Sequence, residues 1–189
     1  MGETRSAAVK GLRLVFFAQI LLVFSVVLAC LVALGPVVTI LYVATDVIGL
    51  ALTAVGLGIA MKADGGYRIA LFFALSVLAC DVLTAITGSW IYLLMRSISM
   101  ILAYMGIAYV CDTTARLCQQ ERSVVKLEEN VRKLYLGCTA IGVLCQGLTI
   151  VNALSDMGGF MNLTSRFVQA IGTVYYIYFL YVGRERLAR

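Results

Sequence analysis

Three ionisable side chains interrupt long apolar stretches of this sequence, and they are its best candidates for chemistry. They are Asp46, Asp81 and Arg96. Burying a charge in hydrocarbon is costly, so such residues mark ligand sites, ion or proton pathways, or paired structural contacts. At a rise of about 1.5 Å per helical residue, Asp81 and Arg96 reach a similar depth on either side of the Gly88-Ser89 break. An ion pair between them is therefore expected.

Asp46 lies deeper, at about 16 Å from the same side by the same helical rise, and no basic residue occupies a matching position. A carboxyl near the middle of a bilayer must pair with Arg96, face a wet cavity or stay protonated. It is the leading candidate for contact with a proton, a cation or a solute; the alternative is a hydrogen-bonding residue that fixes helix packing. Amide side chains in other apolar stretches are expected to assist. The predicted substrate-binding residues are Asp46, Asp81, Arg96, Gln19 and Gln146.

The composition identifies the environment of these residues. The chain has 189 residues, of which 62 % are hydrophobic and 13 % charged. Soluble domains are about 45–50 % apolar and about 25 % charged, and a soluble chain of this size has too little interior to hide so much apolar surface. The expected partner is therefore the lipid bilayer. The sequence has no histidine, which excludes Ser-His-Asp hydrolases and histidine metal sites. We expect a protein that is not an enzyme and has no cofactor or metal.

Six apolar stretches are long enough to cross about 30 Å of hydrocarbon. Apolar runs without alternation predict helices rather than barrel strands. The expected fold is all-α, a polytopic membrane protein with six transmembrane helices in three tandem hairpins. A cytoplasmic segment (1–13) precedes the bundle (14–183), and a cytoplasmic tail (184–189) follows it. The six stretches are Leu14–Leu34, Val37–Met61, Ile69–Thr87, Trp90–Cys111, Leu134–Leu154 and Phe167–Gly183.

The basic residues predict the orientation of the chain. The chain has 15 lysines and arginines. Of these, 13 lie before the first stretch, between the second and third, between the fourth and fifth, or after the sixth. The two exceptions are Arg96 and Arg166, the second of which flanks the third outer turn together with Asp156. Because positive loops stay inside, both termini are expected in the cytoplasm of a protein in the plasma (inner) membrane. Topology thus explains the net charge of +5, and no nucleic-acid partner is expected.

Similar segments recur along the chain and indicate an internal repeat. Phe-Phe-Ala occurs at 16–18 and 72–74, and Val-Leu-Ala-Cys occurs at 27–30 and 77–80. A more divergent copy follows Arg132. Membrane proteins often carry such repeats. The alternative is that apolar helices with basic starts resemble one another by composition alone.

The second stretch contains two overlapping pairs of small residues, each spaced by four positions. These are Ala54/Gly58 and Gly56/Ala60. Such pairs allow two membrane helices to approach closely.

The longest polar connection, Asp112–Lys133, contains neither glycine nor proline and is predicted to be helical. Its apolar residues Leu117, Val124, Leu127 and Val131 follow a coiled-coil-like spacing. This seam either packs on the chain's own bundle or docks a partner subunit or a second copy of the chain.

Two functions fit these features. The first is solute handling by a transporter, a channel or the substrate-binding subunit of a transporter, in which a small molecule or ion enters an outward-open polar pocket. The alternative is a non-enzymatic membrane interaction or assembly protein that docks a partner through its cytoplasmic helix. A groove lined by the charges within the spans favours the first function, and a dry, paired core favours the second.

Overall fold

The computed structural model describes residues 2–32, 35–86, 90–119, 121–150 and 158–188. The described residues form six α-helices, which confirms the all-α prediction. The predicted break at Gly88-Ser89 and the residue Asp156 lie outside the described residues. The helices are α1 (Gly2–Cys30), α2 (Pro36–Ala60), α3 (Gly65–Ile86), α4 (Trp90–Leu117), α5 (Arg122–Ile150) and α6 (Gly158–Ala188).

Four of these helices contain segments long and apolar enough to cross a membrane: Thr4–Cys30, Pro36–Ala60, Gly65–Leu83 and Leu93–Leu117. In α5, the apolar part begins at Leu134 after a charged half, and the predicted stretch extends into residues 151–154, beyond the described part. Large apolar side chains are exposed on all six helices. Exposed apolar surface of this extent is typical of proteins whose solvent is lipid. One such side chain per helix is Phe24, Ile40, Phe72, Ile101, Leu144 and Ile171.

The six helices form a closed ring in chain order. Each packs on the next, and α6 returns to pack on α1. The most extensive contacts lie within the pairs α1–α2, α3–α4 and α5–α6. Helices that follow one another in a chain usually pack together, with or without duplication. The tandem repeat of hairpins therefore stays a prediction.

The α2–α3 and α4–α5 turns and the two chain ends lie at one end of the ring, here termed the basic end. Contacts between elements show this placement. The hydroxyls of Tyr67 (α3) and Thr114 (α4) are 2.9 Å apart, and Arg186 (α6) forms an ion pair of 3.0 Å with Glu121. The hydrophobic core extends through this end, which is closed by side-chain packing. Its largest fully buried apolar and aromatic side chains are Tyr67, Tyr176, Phe179, Leu12 and Leu180.

The predicted terminal segments are parts of helices. Residues 2–13 belong to α1 and residues 184–188 to α6. Ala8, Leu12 and Leu187 are buried in the core at the basic end. The segments on the polar side therefore help to close the bundle.

Helix α2 begins directly after Gly35, between the first two predicted apolar stretches. Gly35 has φ 137°, a backbone conformation that L side chains rarely adopt, and Pro36 occupies the first turn of α2. A proline there costs no hydrogen bond, because the first amide groups of a helix have no partner within it.

Helices α1 and α2 meet through glycine. A Cβ atom on Gly56 would lie 2.8 Å from the backbone oxygen of Gly11, and one on Gly11 would lie 2.7 Å from the Cβ of Ala60. A Cβ on Gly58 would meet no atom within 4 Å. Of the two predicted pairs of small residues, Gly56/Ala60 therefore lies at the close contact, whereas Gly58 points into open space.

The prediction of helix over Asp112–Lys133 is confirmed at both ends of the segment, but the helix is not continuous. Helix α4 ends at Leu117, and α5 begins at Arg122 after a turn. In that turn Gln119 has φ 56°, and its amide donates to the oxygen of Arg116 at 3.0 Å. A left-handed residue other than glycine costs about 1–2 kcal/mol. Because the segment contains no glycine or proline, the sequence does not reveal this turn. Packing of the helices on either side stabilises it.

The predicted seam packs inside the chain's own bundle. Val124 and Val131 are 0 % and 1 % exposed and belong to the hydrophobic core. Leu117 and Leu127 pack against the same core. Of the two expectations for this seam, intrachain packing is the one that the structure displays.

Candidate functional site

A cavity of about 180 Å³ occupies the middle of the ring and extends toward the end opposite the basic end. All six helices contribute to its lining. Its floor includes Leu57, Val110 and Tyr176, which also belong to the buried core. The cavity therefore ends where the packed basic end begins. Among the described lining residues, the charged ones are Asp46, Asp81, Arg96 and Arg166.

Asp46 lines the cavity from α2, beside α1. The Ser25 hydroxyl donates to its Oδ1 at 3.0 Å. The same hydroxyl is also 2.8 Å from the oxygen of Leu22. One hydroxyl proton cannot serve both acceptors fully. Asp46 can therefore accept further hydrogen bonds from a group in the cavity. Of the three situations expected for this residue, a position facing a cavity is the one observed.

Asp81 lines the cavity from α3. Its Oδ1 accepts a hydrogen bond from the Ser99 hydroxyl of α4 at 3.1 Å. The charges of Arg96, Asp46 and Arg166 all lie close enough to act on the Asp81 carboxyl. Four charged groups thus surround one small volume, with two charges of each sign.

Asp81 and Arg96, which were expected to form an ion pair, interact electrostatically without a direct salt bridge between their side chains. Both residues line the cavity. The direct ion pairs between described residues lie instead at the basic end, as between Arg116 and Asp64. The guanidinium Nε of Arg96 is buried without a hydrogen-bond partner in the described part of the chain. Arg96 therefore retains a donor that no described residue accepts.

Arg166 lines the cavity from α6 and reaches α2. Its guanidinium donates a hydrogen bond to the Tyr42 hydroxyl and lies 5.1 Å from the centre of the Tyr42 ring. Tyr42 precedes Asp46 by one helical turn and shares its face of α2. Arg166 is therefore held near the acidic groups, on the side of the cavity remote from the basic end.

Neutral polar groups occupy a deeper level of the cavity. The Gln19 amide donates to the Thr53 hydroxyl at 3.3 Å, and both residues line the cavity. Gln169 and Thr173 contribute further polar groups from α6. Gln146 differs from the prediction: it is fully buried on α5 and is not among the described lining residues. It is buried in helix packing, and the described lining residue of α5 is Tyr135, near the floor.

Four of the five residues predicted from the sequence line this cavity. The residues that support them were not predicted. Ser25 and Ser99 orient the two carboxylates, and Tyr42 holds Arg166. Ser99 and Tyr42 could have been predicted from helical spacing. Ser99 follows Arg96 by three residues and Tyr42 precedes Asp46 by four, so each shares a helix face with a charged residue. Ser25 could not, since its role depends on how α1 and α2 meet.

The cysteines and carboxylates do not form a competing centre. Within the described ranges, no three cysteine, aspartate or glutamate side chains come together as metal ligands. At the basic end, burial raises the pKa of the Cys118 thiol to about 11. That thiol stays protonated at neutral pH and is a weak nucleophile.

The chain matches no protein-family model, no curated protein sequence and no solved structure.

Proposed function

We propose that this chain binds or passes a small polar solute through the central cavity as a transporter, a channel or a transporter's substrate-binding subunit. The observation that supports this most is the gathering of Asp46, Asp81, Arg96 and Gln19 on one cavity. Ionisable residues at membrane depth are costly, and a cavity that they share is the usual site of ligand contact. A role in solute binding does not require catalysis, and no enzymatic step is proposed.

We further propose that all six helices cross the plasma membrane with both termini in the cytoplasm. The exposed apolar side chains on α5 and α6 support two spans beyond the four long apolar segments. The 13 basic residues outside the spans support the orientation. The cavity then faces the outside, while the packed basic end separates it from the cytoplasm.

Thiol labelling of intact cells tests this orientation. In a background without reactive cysteines, Lys62→Cys and Arg122→Cys at the basic end should react only after the membrane is permeabilised. Leu31→Cys, at the opposite end, should react with a membrane-impermeant reagent from outside. The proposed orientation fails if Arg122→Cys is labelled in intact cells.

The test of function is Asp46→Asn, which keeps the size of the side chain and removes its charge. If the cavity binds solute, uptake or ligand binding should fall at least tenfold, while the melting temperature in detergent stays nearly constant. Glu129→Gln is the matched control, because it makes the same chemical change at an exposed site of α5. It should change neither property.

A different pattern would assign Asp46 a structural role. If Asp46→Asn lowers the melting temperature and leaves binding per folded molecule unchanged, the carboxyl only fixes α1 against α2 through Ser25. The alternative function, docking through the cytoplasmic seam, receives no support from the packing, because Val124 and Val131 are already buried in the core.

A further inference from the structure

The acidic and basic groups around the cavity come from different helices. The two carboxylates belong to α2 and α3, which are neighbours in the ring. The two guanidinium groups belong to α4 and α6, which also contact each other. The described lining therefore has acidic groups from one pair of contacting helices and basic groups from another pair, and the formal charges of these groups cancel.

One group of each sign has unused hydrogen-bonding capacity. Ionised Asp46 offers two oxygens with about four acceptor sites, whereas its described hydrogen bond comes from the shared proton of Ser25. Arg96 has a buried Nε without a partner in the described part of the chain. An unsatisfied buried donor costs about 1–3 kcal/mol, which a bound ligand can recover.

The size of the cavity limits what it can hold. The volume of about 180 Å³ is well above the minimum that holds a single water molecule. A solute of a few non-hydrogen atoms fits this volume. Small residues such as Ala74 and Ala103 line the cavity on the side of the charged groups nearer the basic end, so a short apolar body is accommodated as well.

We propose that the cavity binds a small zwitterion, with its ammonium group at Asp46 and Asp81 and its carboxylate at Arg96. This inference rests on the proposed function and names the ligand class. A ligand with one charge satisfies one set of groups and meets the like charge of the other set in a low-dielectric site. A zwitterion satisfies both sets and leaves the site neutral, so charge arrangement rather than total charge provides the selectivity.

Binding to the purified full-length chain tests the proposal with three probes of similar size. L-Alanine carries both charges, propylammonium only the positive charge and propionate only the negative charge. Calorimetry and the melting temperature in detergent report binding. We expect L-alanine to bind at least tenfold more tightly than either single-charge probe and to be the only one that raises the melting temperature measurably.

Two variants assign the charges to residues. Asp46→Asn should weaken L-alanine binding at least tenfold and leave the variant with no preference for L-alanine over propionate. Arg96→Gln should abolish the preference for L-alanine over propylammonium. Glu129→Gln should reproduce the unmodified protein. The probe series on the unmodified chain stands on its own if either cavity variant fails to fold.

The outcomes separate this inference from the proposed function. If propylammonium or propionate binds as tightly as L-alanine and Asp46→Asn abolishes that binding, the cavity binds solute but the zwitterion assignment is wrong. If none of the probes binds, the zwitterion assignment also fails. Uptake assays with Asp46→Asn then decide separately whether the cavity handles another solute.

Discussion

Replacing Gly56 with leucine should prevent α1 and α2 from packing and leave little folded protein. Even a Cβ atom at this position would lie 2.8 Å from the backbone oxygen of Gly11 and 2.9 Å from the Cγ2 of Val15. Backbone cannot move aside as a flexible side chain can, so the whole leucine side chain must separate the helices. Overpacking costs about 1–3 kcal/mol and occasionally more, and a clash with backbone belongs at the upper end of this range. Size-exclusion profiles and the melting temperature in detergent measure the effect.

Gly58→Leu is the matched control for this change. It lies on the same helix two residues away, and a Cβ there meets nothing within 4 Å. Leucine at that site should leave the folded yield and the melting temperature close to those of the unmodified chain. Equal damage from both substitutions would show that α1 and α2 do not meet at Gly11 and Gly56.

The second large effect concerns the charges of the cavity. Asp81→Ala and Arg96→Ala should each destabilise the protein on the order of 3 kcal/mol, the scale observed when one partner of a buried pair is removed. Each change leaves an uncompensated charge among the remaining groups of the cavity. The double variant should cost less than the sum of the single changes by about 1 kcal/mol or more. Thermal unfolding of the four proteins in one detergent measures this coupling.

Glu129 and Lys133 provide the matched control cycle. Their side chains form a direct ion pair of 2.6 Å, closer than the cavity charges, and both are exposed. The hydrogen bond from Lys133 lowers the pKa of Glu129, so the pair is ionised at neutral pH. Solvent screening should nevertheless leave their coupling weaker than that of Asp81 and Arg96. Additive effects of Asp81→Ala and Arg96→Ala would mean that the two charges act independently.

Some helix boundaries can be predicted from residue types alone, and others cannot. Proline at position 36 and the glycine before it mark the start of α2, and both act through backbone conformation that the residue types impose. The turn at Gln119 has no such marker. There the packing of α4 and α5 outweighs the local preference for a continuous helix.

The sequence by itself determined the helical class, and it predicted the membrane environment and the depths of Asp46, Asp81 and Arg96. These follow from hydrophobicity, charge and helical rise, which are properties of single segments. The tertiary structure alone decided which faces meet: Ser25 beside Asp46, Ser99 beside Asp81, and Gly56 rather than Gly58 at the α1–α2 contact. The physical reason is that these helices are apolar nearly all round. Their sequences therefore lack the amphipathic stripe that would fix the rotation of each helix about its axis.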